Sequence, residues 1–105
     1  MASKSRLRNA HGSLVDTLTN RFNQSPPGLE NQWAGLMGQA TALGRRVAAS
    51  GLPDESAGFD RVIADLDAAT HAIVGATEAQ DPDEAAAALD QAGQALSSLD
   101  ALLGS

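Results

Sequence analysis

The chain contains no cysteine and no tyrosine, and only three aromatic residues, Phe22, Trp33 and Phe59. Without cysteine there is no disulfide, no thiolate nucleophile and no cysteine-ligated metal. Scarcity of aromatic and β-branched residues leaves alanine and leucine as the bulk of the 43% apolar content, which favours helices over strands. No apolar run approaches the ~20 residues needed to span a bilayer. The basic start, "MASKSRLRNAHGSL", has no apolar stretch of the kind a secretory signal requires, so the cytoplasm is the expected location.

Positive charge is also missing from most of the second half. Residues 1–52 hold six cations against Asp16 and Glu30, a balance of +4, whereas residues 53–105 hold Arg61 alone against eleven acids, a balance of −10. Such polarity speaks to association rather than fold. Either the halves attract one another within one domain, or an acidic surface is left for a basic partner.

Three short breaks divide what remains. "NQSPPGL" (23–29), "ASGLPDES" (49–56) and "AQDPDE" (79–84) each contain proline, and the first two also contain glycine. Helices end at such residues and restart behind caps. Asp81 is a strong N-cap, with Pro82 at the first helical position and Glu84 three residues on. Asp54 or Ser56 suits the start of the third segment, and Ser25 or Pro26 that of the second.

Between the breaks, apolar residues recur at helical spacing. Leu29, Trp33, Leu36, Ala40, Leu43 and Val47 step by fours and threes, as do Ala85, Leu89, Ala92, Leu96, Leu99 and Leu103. Val62, Leu66, Ala69, Ile73 and Ala76 form a third stripe, widened by Phe59 and Ile63. Leu7, His11, Leu14, Leu18 and Phe22, with Val15 beside them, form a fourth. The expected fold is all-α: an antiparallel up-down-up-down four-helix bundle with short Pro/Gly loops. Residues 1–105 read as one helical domain, with residues 1–5 as a flexible basic tail. Trp33, Leu36, Leu66, Ile73, Leu89 and Leu96 are expected to share its core. Gly35, Gly38 and Gly44 interrupt the second segment at up to ~1 kcal/mol each, and are read as points of close approach.

The sequence holds little catalytic chemistry. His11, His71 and Met37 are the available soft or nitrogen ligands, but no Glu-x-x-His pair or C-x-x-C-H occurs, and no metal or cofactor is expected. G-x-S-x-G, HExxH and phosphate-binding glycine loops are absent. "SKSRLR" with Arg21 could touch phosphates, yet a net charge of −6 and few aromatics argue against nucleic acid.

Two local resemblances stand out. "THAIVGAT", with His71 four residues before Gly75, resembles the H-x-x-K-G element of histidine phosphotransfer domains, with Val74 in place of the lysine. It implies an exposed, phosphorylatable histidine on a four-helix bundle. "LENQWAGLMGQA", with Trp33 and Gly35, resembles the W-x-G region of the small helical-hairpin proteins secreted by type VII systems. That family's C-terminal Y-x-x-x-D/E signal has no counterpart in a chain without tyrosine.

The expected function is a non-enzymatic protein-interaction module: an adaptor, assembly subunit, cargo-binding accessory or small chaperone. The interaction residues are Trp33, Asp60, Asp67, His71, Asp83, Glu84, Asp90 and Asp100. The expected partner is a basic protein, or a second copy engaged through the basic N-terminus and the acidic C-terminal half. Phosphotransfer through His71 and the W-x-G type are the alternatives.

Overall fold

The structure is a computed structural model and describes residues 2–49 and 51–104. Among these residues the chain forms four helices, α1 (Lys4–Arg21), α2 (Glu30–Ala49), α3 (Ala57–Ala79) and α4 (Pro82–Gly104). They pack as an all-α four-helix bundle measuring 40 × 22 × 19 Å. No helix among the described residues is long and apolar enough to cross a membrane.

The helices alternate in direction, but their order around the bundle is not their order in sequence. Only Gln80 and Asp81 separate α3 from α4, and a tight link of this kind forces an antiparallel pair. The connection from Phe22 to Leu29, which begins with a single 3-10 turn (Phe22–Gln24), does the same for α1 and α2. The α2–α3 connection is long enough at ~3.3–3.6 Å per residue to cross the bundle. Consequently α2 and α3 lie on a diagonal, while α1 packs beside α3 and α2 beside α4 in parallel pairs. Consecutive helices are therefore neighbours for α1/α2 and α3/α4 but not for α2/α3.

The ends explain this arrangement. Two-residue strands β1 (Ala2–Ser3) and β2 (Glu55–Ser56) pair antiparallel, and the Lys4 amide donates to the Asp54 carbonyl at 2.6 Å. That clasp ties the starts of α1 and α3 together. Residues 2–5, read from the sequence as a tail, instead occupy β1 and the first turn of α1, and Met1 lies outside the described residues. The Ser3 hydroxyl caps α1 by accepting from the Arg6 amide, and the Ser56 hydroxyl caps α3 by accepting from Gly58. The Asp81 carboxylate accepts from the amides of Asp83 and Glu84 at 2.9 and 3.2 Å, the cap its sequence announces. The start of α2 differs from expectation. Ser25 and Pro26 stay outside the helix, Gly28 turns the chain at φ 96°, and the Glu30 carboxylate accepts from the Gly28 amide.

The four stripes meet in one core. All six residues expected to share it are buried in a single cluster, with Leu7, Leu14, Leu18 and Phe59 among its largest members. Phe22 departs from its stripe. It lies past the last turn of α1 and is 37% exposed, the one large hydrophobic exposed among the described residues. Its ring meets Trp33 edge-to-face at 6.3 Å.

Candidate functional site

Trp33 has no exposed surface. Its indole Nε1–H donates to the Leu18 carbonyl at 2.7 Å, in the last turn of α1, where carbonyls lack helical partners. The side chain fills the core and secures the α1–α2 hairpin, so it offers no surface to a partner while the bundle is intact. Trp33, expected among the interaction residues, is instead a core residue. In the W-x-G stretch, Trp33 is the fourth residue of α2, one turn past the α1–α2 connection, and Gly35 is exposed.

His11 is buried, and its Nε2–H donates to the Ala40 carbonyl at 2.7 Å. A carbonyl only accepts, so this nitrogen carries the proton. The ring lies over Gly44, where an added Cβ would stand 2.9 Å from Cε1. Gly44 is thus the close approach anticipated from the sequence. Gly35 and Gly38 are not: both face open space, with nothing within 4 Å of an added Cβ. His11, His71 and Met37 belong to α1, α3 and α2 respectively. Among the described residues no three His, Asp or Glu side chains converge as a metal site.

His71 is exposed on α3, one turn after Asp67. Its Nδ1–H donates to the Asp67 backbone carbonyl at 2.9 Å, rather than to the carboxylate. In the neutral ring this leaves Nε2 as the nitrogen with a free lone pair. An added Cβ at Gly75, one turn later, would meet nothing within 4 Å.

The remaining candidate acids are all exposed, but they do not form one continuous sheet of charge. Asp90 and Asp100 line the α2/α4 edge. Asp90 accepts from the Gln32 amide at 3.0 Å, and Asp100 is paired with Arg46. Asp67 borders a shallow recess on the α1/α3 edge, with Arg6 and Asn9. Asp83 and Glu84 open α4 at the turn end, and Asp60 lies in the first turn of α3 at the opposite end. Among the described residues, Arg21–Glu78, at 3.7 Å, and Arg46–Asp100 are the two ion pairs. Both are solvent-exposed and contribute at most ~1 kcal/mol each. Asp60, Asp67, Asp83 and Glu84 have no cation within ion-pair distance among the described residues.

Comparison with models of protein families, with curated proteins and with solved structures returned no match.

Sequence reasoning missed the contacts that span elements. The Gln80 side-chain amide donates to the Thr77 carbonyl at 2.6 Å and to the Gln24 carbonyl at 2.7 Å, tying the end of α3 to the α1–α2 connection. Gln80 itself adopts φ 54° and ends α3 in the left-handed region, a role more often taken by glycine. No sequence signal marks it. The pairing of Arg46 with Asp100 depends on α2 lying beside α4, which the order of segments does not reveal.

Proposed function

We propose that this protein is a non-enzymatic interaction module whose exposed acids on α3 and α4 dock a basic protein partner. One observation carries the reading. The folded bundle leaves Asp60, Asp67, Asp83 and Glu84 exposed without cation partners among the described residues, although six cations lie in the sequence of the other half. Among the described residues, internal attraction between the halves accounts for two ion pairs. An unbalanced surface of this sign raises the rate of encounter with basic partners and repels acidic ones. The roles that fit are adaptor, assembly subunit, cargo-binding accessory or small chaperone, acting in the cytoplasm.

Paired affinity capture from the native host tests this reading. One bait is the wild-type chain, and the other carries Asp60→Asn, Asp67→Asn, Asp83→Asn and Glu84→Gln. The expected result is a set of basic proteins that the wild type retains and the neutralised bait loses. Identical captures on both baits overturn it.

A second reading rests on His71. Its anchored Nδ1, its exposed ring and the open space above Gly75 suit a nucleophilic Nε2 that accepts a phosphoryl group from a docking kinase. Acid-labile phosphate on the purified protein, absent from His71→Gln, would support that reading. Its absence after incubation with host extract and ATP would oppose it.

A further inference from the structure

Charge is segregated along the bundle as well as across it. Because α1 and α3 start at the same end where α2 and α4 finish, that end collects the cations. Lys4, Arg6 and Arg8 of α1, Arg45 and Arg46 of α2, and Arg61 of α3 all fall within five residues of it. They are six of the seven cations in the chain. Asp54, Glu55, Asp60 and Asp100 share this end, leaving it net positive. The turn end holds Arg21 alone against Glu30, Glu78, Asp81, Asp83 and Glu84.

These two ends cannot neutralise each other within one molecule. The long axis measures 40 Å, whereas charges in water are screened over ~10 Å at 0.1 M salt. Contact between molecules removes that separation. The apolar surface matches the charge. Phe22, partly exposed, lies at the acidic end, and Leu52, Leu102 and Leu103 are partly exposed at the cationic end. Each end thus carries partly exposed apolar side chains beside charged ones, and the net charges of the two ends are of opposite sign.

We propose that the acidic turn end of one bundle docks on the cationic end of a second copy of this chain. The contact is head-to-tail, so it does not close on itself and builds open linear chains rather than a closed dimer. The end face is set by the 22 × 19 Å cross-section. That is about 400 Å² per partner, half of what a stable interface takes, so the association is weak and reversible. The proposal uses the same charges as the docking reading but needs no foreign partner.

The test combines sedimentation velocity with small-angle X-ray scattering on the full chain, over a concentration series at about 0.05 M and about 1 M salt. At low salt the apparent mass is expected to rise with concentration, and the maximum dimension to grow in steps near the 40 Å bundle length. Both effects should vanish at high salt. Arg8→Glu/Arg45→Glu removes the cationic end, and Glu78→Lys/Asp83→Lys/Glu84→Lys removes the acidic one. Each variant is expected to be monomeric alone, with helicity retained by circular dichroism, and the two mixed should associate. If either loses helicity, Arg45→Glu or Glu78→Lys alone replaces it and should weaken association. A wild-type chain that stays monomeric at low salt overturns the proposal. So does association that survives high salt or persists in either single-end variant alone, or growth in cross-section rather than length. Arg8→Glu/Arg45→Glu leaves the acidic residues untouched, so foreign capture should persist in this variant, and the two readings fail separately.

Discussion

The Trp33 indole donates to the Leu18 carbonyl across the α1–α2 hairpin at 2.7 Å, with no part of the ring exposed. One side chain thus provides the largest piece of the core and a partner for a helix-end carbonyl. Trp33→Ala is expected to cost about 3–5 kcal/mol. Trp33→Phe keeps much of the apolar volume but removes the donor, and should cost about 1–3 kcal/mol. Urea denaturation of both variants checks the order. Near-neutral Trp33→Ala would mean that the indole is not in the core.

Glycine-to-alanine substitutions in α2 should have opposite signs. At Gly44 the added Cβ would stand 2.9 Å from the His11 ring, inside a buried contact. Gly44→Ala is therefore expected to destabilise by about 1–3 kcal/mol. At Gly35 and Gly38 nothing lies within 4 Å. Alanine there should stabilise by roughly 0.5–1 kcal/mol each. Thermal melts report these changes at about 4–8 °C per kcal/mol in a domain of this size. A Gly44→Ala protein melting at or above the wild-type temperature would contradict the His11 placement.

Asp81 holds the first turn of α4 through two amides. Asp81→Ala is expected to cost about 1 kcal/mol, and Asp81→Ser to recover most of it. Equal losses in both variants would assign the effect to charge rather than to capping.

The helical stripes were legible because each helix buries one face. The 4,3 spacing of Leu29 to Val47, or of Ala85 to Leu103, survives with only the terminal leucines partly exposed. Asp81 was legible because capping is local. Phe22 departs from its stripe because it is the first residue past α1, in the 3-10 turn that leads into the Pro/Gly connection. The crossing of α2 to α3 was hidden, since spacing fixes which face is buried but not which helix covers it. The acids of the candidate surface were readable as exposed. Their division between the α2/α4 edge, the α1/α3 edge and the two ends was not, because it follows from that crossing.

His71 should be dispensable for folding. Its ring is exposed and bonds only to the Asp67 carbonyl one turn away. His71→Gln is expected to shift stability by no more than about 0.5 kcal/mol, as surface substitutions usually do. A loss of several degrees in melting temperature would show a structural role.

The central claim is that the exposed acids of α3 and α4 bind a basic partner. Titration of the isotope-labelled chain with a lysine- and arginine-rich amphipathic peptide, followed by amide chemical shifts, tests it most directly. Saturable shifts are expected around Asp60, Asp67, Asp83 and Glu84, weakening as salt rises from about 0.1 M to about 1 M. An unshifted spectrum, or shifts confined to the outer surfaces of α1 and α2, would contradict the claim.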